Sequence, residues 1–284
     1  MKKTTLLLTA LLITAIACNK IDTSKAVFNI LPNVEVTPWD PEYAKTVVQK
    51  IYVEEFTGHA CTYCPDGARI LKTLMEEDST IIATAIHCSN LANPGKFPFD
   101  KDFRTNMGNI ISEDFKISGL PKAMINRKGS GNNVWGFDRN KWRSEVAKID
   151  RKNVRAGIEL QCRVDSTKKE MEVKVSVTII KELSNPVQLC LVLQQDSIIS
   201  GQVDKGKEIP DYVHNHVLRA GFNGNYGTKL TQNGKVDKET KYSTTFKLSY
   251  GNFSIPVIVE NSSIVAYLLD TETKEVVQVE MWGE

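Results

Sequence analysis

What this 284-residue chain lacks narrows the classes of protein to which it can belong. Beyond its first 20 residues it has no apolar run of the ~20 residues that a membrane-spanning helix needs, which predicts a soluble remainder. It has no marked excess of one charge, since 36 Lys and Arg stand against 34 Asp and Glu. It has one CxxC and no second, so a zinc site built from two such pairs is excluded.

The N-terminus has the layout of a secretory signal. Lys2 and Lys3 precede an apolar run from Leu6 to Ile16, and small residues lead to Cys18. We predict that residues 1–17 are a signal peptide. Ala15-Ile16-Ala17-Cys18 resembles the lipobox of bacterial lipoproteins, which implies a lipid on Cys18 that holds the chain at a membrane. The alternative is an ordinary signal peptide that leaves Cys18 as a free thiol.

Cleavage after residue 17 would leave a neutral protein of 267 residues, because loss of Lys2 and Lys3 lowers the basic count to the acidic count of 34. A neutral chain does not indicate a nucleic-acid partner, which calls for a clustered basic surface. The length suits two domains. Residues 18–44 contain three prolines and little periodicity, which predicts a lipidated tether.

The next stretch has a strand, helix, strand pattern. Residues 47–56 are rich in β-branched and aromatic side chains, and 81–86 form a short apolar run typical of a strand buried on both faces. Between them four apolar residues share one helical face: Ala68, Leu71, Leu74 and Met75. We therefore predict a right-handed βαβ unit.

The CxxC, Cys61-Thr62-Tyr63-Cys64, lies where the first strand gives way to the helix. A helix N-terminus stabilises a thiolate, so Cys61 is the expected nucleophile, and Cys64 is near enough to resolve a mixed disulfide. His59 is either a stabiliser of that thiolate or a solvated turn residue. Cys88 is either close to the pair or an inert buried thiol. Two other interpretations stay open: a zinc site formed by these four residues, and a purely structural disulfide.

Residues 88–107 form a long segment between a strand and a helix, here called the insertion, which is expected near the CxxC. Residues 109–115 are predicted to be a helix. A strand over 122–126 and a second near 134–137 predict a hairpin, after which Asp138 is expected to cap a helix that runs to about residue 149.

The CxxC after a strand, together with Gly119-Leu120-Pro121-Lys122 at the head of a later strand, resembles the thioredoxin superfamily over residues 45–150. The resemblance implies a cis bond between Leu120 and Pro121, with Pro121 beside the CxxC and the backbone of Leu120 binding an extended substrate. Thr62-Tyr63 is neither the Gly-Pro of reductants nor the Pro-His of strong oxidants. The direction of electron flow is therefore not specified.

Residues 54–65 and 212–219 resemble the twenty-eight-kilodalton outer-membrane protein family of Bacteroidetes-type bacteria. That resemblance implies an outer-membrane lipoprotein, in the cell envelope, in which a thioredoxin-like domain is followed by a β-sandwich.

The second half, residues 151–284, changes to a period of two. Six or seven short strands with polar turns predict an antiparallel sandwich of immunoglobulin-like or jelly-roll-like type. The fold class is thus α/β plus all-β. A disulfide between Cys162 and Cys190 is left open, since geometry decides it.

The connection over residues 200–229 is predicted to be a binding loop with Tyr212, His214, His216 and Arg219. The two histidines, at i and i+2, would share a strand face, a spacing that can bind metal. No carboxylate or cysteine completes such a set, so a structural or interdomain role is favoured.

The function predicted from these features is thiol–disulfide oxidoreductase activity on exported proteins, whose thiols or disulfides would be the substrates. The alternative is a non-catalytic surface lipoprotein that binds a protein or glycan. No cofactor and no metal is predicted.

Overall fold

The computed structural model describes residues 33–129, 135–231 and 234–283. The predicted signal peptide and Cys18 lie outside them. The described helices are α1 (Pro41–Thr46), α2 (Cys64–Glu77), α3 (Asn106–Asp114) and α4 (Trp142–Ala147). The described strands are β1 (Glu35–Thr37), β2 (Ile51–Thr57), β3 (Ile81–His87), β4 (Lys122–Ile125), β5 (Phe137–Asp138), β6 (Ala156–Asp165), β7 (Glu170–Ile179), β8 (Val187–Gln195), β9 (Ile198–Asp204), β10 (Lys207–His214), β11 (Val217–Gly221), β12 (Thr228–Lys229), β13 (Thr240–Ser249), β14 (Ser262–Asp270) and β15 (Val276–Trp282). None of these helices is long and apolar enough to cross a bilayer.

The predicted βαβ unit is confirmed. β2 and β3 pair in parallel from Ile51 opposite Ile81 to Thr57 opposite His87, and both strands are buried along their whole length. α2 covers one face of the pair with Leu71 and Leu74, as its apolar spacing predicts. α3 covers the other face, where its buried residues pack with side chains of β2 and β3.

One sheet runs through both halves of the chain. Its order is β15-β14-β8-β11-β3-β2-β4-β5, with β12 added beside β8. β11 joins the halves because it pairs in parallel with β3 and antiparallel with β8. The division of the chain near residue 150 stays a prediction, and the sheet continues across it.

A second sheet, β1-β13-β7-β6, faces the part of the large sheet that comes from the second half. Alternate residues of β7 and of β8 and β14 meet in one apolar core, among them Val175, Leu191 and Ala266. The opposite faces of β8 and β14 pack towards α3. The chain is therefore mostly β-structure with few helices, as the period of two predicts for its second half.

Part of the predicted tether belongs to the fold, which corrects that expectation. β1 pairs with β13, and α1 follows directly. Asp40 caps α1 by accepting bonds from the backbone N–H groups of Glu42 and Tyr43 at 3.0 and 3.2 Å, while Pro41 fits the first helical position. A Cβ on Gly157 would lie 2.8 Å from the Tyr43 hydroxyl, so α1 packs closely on β6.

Asp138 does not cap a helix, contrary to the prediction. It lies in β5, and its carboxylate accepts a bond from the Lys122 ammonium at 2.8 Å across the β4–β5 pair. A short 3₁₀ turn, Arg139–Lys141, then separates it from α4. The carboxylate is thus held by the neighbouring strand instead of by the first turn of the helix.

The expectation that residues 200–229 form an irregular loop is also wrong, because most of them are in strands. β9 and β10 form a hairpin whose two-residue turn, Lys205-Gly206, has φ of 51° and 79°. Positive φ at both central positions is the geometry that joins twisted strands by a two-residue turn. The signal was present in the sequence as Asp204-Lys205-Gly206-Lys207, between two β-rich stretches.

Candidate functional site

Cys61 and Cys64 form a disulfide at the start of α2, with their Cα atoms 5.4 Å apart. α2 begins at Cys64, and Pro65 is tolerated there because first-turn N–H groups have no intrahelical acceptor. Cys61 is 4% exposed and Cys64 1%, whereas Tyr63 between them is 53% exposed. The disulfide thus lies just below the surface, and Cys61 is the more exposed of its two cysteines.

The bond between Leu120 and Pro121 is cis, as the resemblance to the thioredoxin superfamily implied. Pro121 is buried and Leu120 is half-buried. A Cβ on Gly67, one turn after Cys64, would lie 3.2 Å from Pro121 Cβ and 2.8 Å from Trp142 Cη2. Glycine is therefore required at residue 67 for Pro121 to approach the first turn of α2 so closely.

Glu55 is a feature of the site that the sequence analysis missed. It lies on the same face of β2 as Ile51 and Val53, which pack under α2. A Cβ on Gly67 would lie 3.0 Å from its Oε1, an atom that has no hydrogen-bond partner. Burial raises the pKa of this carboxyl to about 8. Glu55 is consequently a buried acid that is protonated at neutral pH, next to the first turn of the helix that carries Cys64.

His59 is buried, so its interpretation as a solvated turn residue is wrong. Its Nε2 lies 2.8 Å from the Asn93 carbonyl oxygen, and its ring lies 5.7 Å from that of Phe99. Both partners belong to the insertion, which packs beside the CxxC as predicted; Ala60 N–H also donates to the Leu91 carbonyl at 2.9 Å. Burial lowers the pKa of His59, which favours a neutral ring and argues against a cationic thiolate stabiliser.

The other three cysteines that the structure describes are free thiols. Cys88 is free and buried in the core beneath α3, and burial raises its pKa. Cys162 and Cys190 are both free, so they form no disulfide with each other. No group of three or more His, Cys, Asp or Glu side chains is arranged to hold a metal ion in the part of the chain that the structure describes.

The four residues of the predicted binding loop lie on different elements of the fold. Tyr212 and His214 lie on β10, and their rings are 4.9 Å apart. His216 lies in the turn that follows, with φ of 55°, and its Nδ1 is 3.1 Å from an Asp196 carboxylate oxygen. Arg219 lies on β11, where its guanidinium donates to the side-chain oxygen of Gln195 and the carbonyl of Ile255. The two histidines therefore do not share a strand face, because a sharp turn separates them.

His214 is enclosed by aromatic rings. Its ring centroid lies 4.9 Å from that of Phe103 and 5.5 Å from that of His87. Burial lowers the pKa of His214 to about 4 and that of His87 well below its usual value, so both rings are neutral at pH 7. Neither ring nitrogen of His87 has a hydrogen-bond partner.

The fold and site define a class of protein: a β-rich chain with a CxxC disulfide at a helix start and a cis proline against that helix. The chain belongs to the family of outer membrane protein Omp28, whose model matches residues 109–282. This membership confirms the family resemblance and the outer-membrane location that the sequence predicted. The matched residues include Pro121 and begin after the CxxC.

Two solved structures are similar to this chain. HBP35 of Porphyromonas gingivalis is 15% identical with a TM-score of 0.62, and the match covers 84% of this chain and 76% of that one, so the two share a fold. A domain of the outer membrane lipoprotein Omp28 from Porphyromonas gingivalis is 19% identical with a TM-score of 0.32, over 48% of this chain and 92% of that one. A comparison with proteins of curated function finds no match.

Proposed function

We propose that this protein is a cell-envelope lipoprotein whose thioredoxin-like domain, residues 45–150, is a thiol–disulfide oxidoreductase, followed by a β-sandwich domain. The observation that carries the proposal is the position of Cys61 and Cys64 at the N-terminus of α2, with cis Pro121 against the same turn. The helix dipole and free N–H groups there stabilise a thiolate, which is the reactive form of cysteine.

In the reducing direction, the Cys61 thiolate attacks one sulfur of a substrate disulfide. That S–S bond breaks, a mixed disulfide forms, and the first substrate thiolate leaves. The Cys64 thiolate then attacks the Cys61 sulfur, so the second substrate thiolate leaves and the Cys61–Cys64 disulfide forms. Two electrons pass to the substrate, and a dithiol donor of the envelope must return them. The oxidising direction is the reverse of these steps.

Glu55 is proposed to handle the proton of Cys64. A thiol must lose its proton before it attacks, and a group whose pKa lies near the operating pH exchanges protons most effectively. The pKa of Glu55, raised by burial to about 8, lies in that range. Glu55 lies against the first turn of α2, the helix that carries Cys64, and the ionised fraction of its carboxyl would accept the proton.

The substrates are proposed to be exported proteins with thiols or disulfides. The backbone of Leu120, ahead of cis Pro121, would pair with an extended segment of the substrate. A lipid on Cys18 would hold the protein at the outer membrane and limit it to partners within reach of the tether.

The test is reduction of insulin disulfides and oxidation of reduced RNase by the wild type and by Cys64→Ser. We expect turnover with the wild type only, and accumulation of a covalent mixed disulfide with Cys64→Ser because the resolving thiol is gone. Cys162→Ser is the matched control, since Cys162 is free and far along the chain on β6. Absence of both turnover and a trapped partner would refute the enzymatic proposal.

One observation favours a second candidate, in which the CxxC is a structural disulfide of a non-catalytic binding lipoprotein. Both cysteines are almost fully buried, and a partner sulfur must reach Cys61 to exchange. This candidate predicts that alkylating reagents label neither cysteine in the folded protein after mild reduction. The oxidoreductase proposal predicts selective labelling of Cys61.

A further inference from the structure

The β9–β10 hairpin, which comes from the second half of the chain, is bonded to the loop that carries the CxxC. Val203 N–H donates to the His59 carbonyl at 2.8 Å, and Lys205 N–H donates to the Thr62 carbonyl at 3.0 Å. The loop over residues 58–62 therefore has a strand-like partner along one side. Its conformation depends on residues more than a hundred positions away in the sequence.

Gln202 makes the most direct contact. Its side-chain Nε2 lies 3.2 Å from the Cys61 carbonyl oxygen, 3.3 Å from that of Gly58 and 3.0 Å from that of Val203. Gln202, Gly58 and Cys61 are buried. Without the amide, the Gly58 carbonyl would keep only the Cys61 N–H at 3.0 Å and the Cys61 carbonyl only the Cys64 N–H at 3.3 Å. Within the described residues no other side chain donates to the Cys61 carbonyl.

Ion pairs at the tip of the hairpin reinforce the contact. Asp204 pairs with Arg69 of α2 at 2.9 Å, and Lys205 lies 3.6 Å from Asp66. Arg69 and Lys205 are at least half exposed, so these pairs contribute little to stability. The buried amide of Gln202 is the better candidate for fixing the loop.

We propose that Gln202 is a positioning residue that sets the stability of the Cys61–Cys64 disulfide. Reduction breaks the S–S bond with two electrons and two protons. Afterwards the two thiols are joined only through the flexible backbone of Thr62 and Tyr63, so noncovalent contacts decide whether they stay opposite each other. Cys64 is held by α2, whereas Cys61 lies in the loop that Gln202 holds. A fixed Cys61 raises the effective concentration of one thiol at the other and so favours the disulfide. This inference rests on the proposed function, because it assigns the redox equilibrium of the same pair to a residue outside the first half.

The test equilibrates the full chain with glutathione and glutathione disulfide and measures the dithiol fraction by alkylation and mass spectrometry. Gln202→Met keeps the length of the side chain and removes the donor. We expect the equilibrium constant for disulfide formation to fall about tenfold, which is about 30 mV in reduction potential for this two-electron couple. Gln194→Met is the matched control, because Gln194 is also buried but bonds Thr84, away from the loop.

Gln202→Asn is a second variant, which retains the amide and shortens its reach by one methylene. It should shift the constant in the same direction by a smaller factor, and circular dichroism shows which variants are folded. Constants within twofold of the wild type in the folded variants would overturn the proposal. Insulin reduction by the wild type separates this proposal from the proposed function. If the equilibrium constant of the variants shifts but the wild type does not reduce insulin, only the oxidoreductase activity is rejected. If the wild type reduces insulin but the equilibrium constants do not shift, only the role of Gln202 is rejected.

Discussion

Replacement of Glu55 by glutamine tests the account of the site most directly. Glutamine has the shape of a protonated glutamate and cannot ionise. In the wild type, burial raises the pKa of Glu55 from 4.5 to about 8 in the folded protein. Between these values the unfolded chain releases a proton that the folded chain retains, so wild-type stability is lost as pH rises towards 8. Glu55→Gln removes this loss.

The magnitude follows from the difference in pKa. Each pH unit between 4.5 and 8 should change the difference in unfolding free energy between variant and wild type by about 1.4 kcal/mol. From pH 5 to pH 7 the variant should therefore gain roughly 3 kcal/mol relative to the wild type. A constant offset from the new amide does not affect this slope.

The assay is urea unfolding of both oxidised proteins at several pH values, from which the difference in free energy is plotted against pH. Glu54→Gln is the control, on the opposite face of β2. The Glu54 carboxylate binds the fully buried Arg127 guanidinium at 2.6 and 2.7 Å. Its loss leaves a buried cation unpaired and should destabilise the fold by about 3–5 kcal/mol. A flat difference for Glu55→Gln across this pH range would refute the burial argument.

Two further predictions concern the surroundings of the site. His214→Phe should reduce the acid sensitivity of the fold. The pKa of His214 is lowered to about 4, so the unfolding free energy of the wild type falls by about 1.4 kcal/mol per pH unit as pH drops from 6.5 towards 4. Urea unfolding of the variant at several pH values should lack this contribution. Gly67→Ala should lower unfolding free energy by about 1–3 kcal/mol, because the new methyl group overlaps Trp142 and Pro121. Gly95→Ala is the control, because its methyl group would meet only Phe99 at 3.8 Å and should leave the unfolding free energy unchanged. Equal urea midpoints for the two glycine variants would contradict the close packing around Gly67.

Local patterns predicted the elements around the CxxC well. The apolar run at residues 81–86 and the helical spacing of Leu71 and Leu74 arise from burial within one βαβ unit, which leaves a short-range signature. The cis bond before Pro121 came from resemblance, since no local rule specifies it.

Features that depend on distant contacts were missed. The burial of Glu55 was not visible, because an acid in a strand normally indicates a solvent-facing position. His59 was interpreted either as a thiolate stabiliser or as a solvated turn residue, and its burial was not visible because the insertion that covers it has no periodic pattern. The β9–β10 hairpin has a weak local signature, because Gly201 and Pro210 interrupt its strands and glycine and proline usually weaken strands.

The parallel contact between β3 and β11 also constrains the order in which the chain can become structured. β3 is synthesised early and is almost entirely apolar, but its partner on the β11 side lies 132 residues later, where Val217 pairs with Ala85. Until those residues emerge, that side of β3 is an unprotected strand edge of the kind that recruits other chains. A nascent chain that ends near residue 150 would therefore expose to other chains the edge that β11 later occupies.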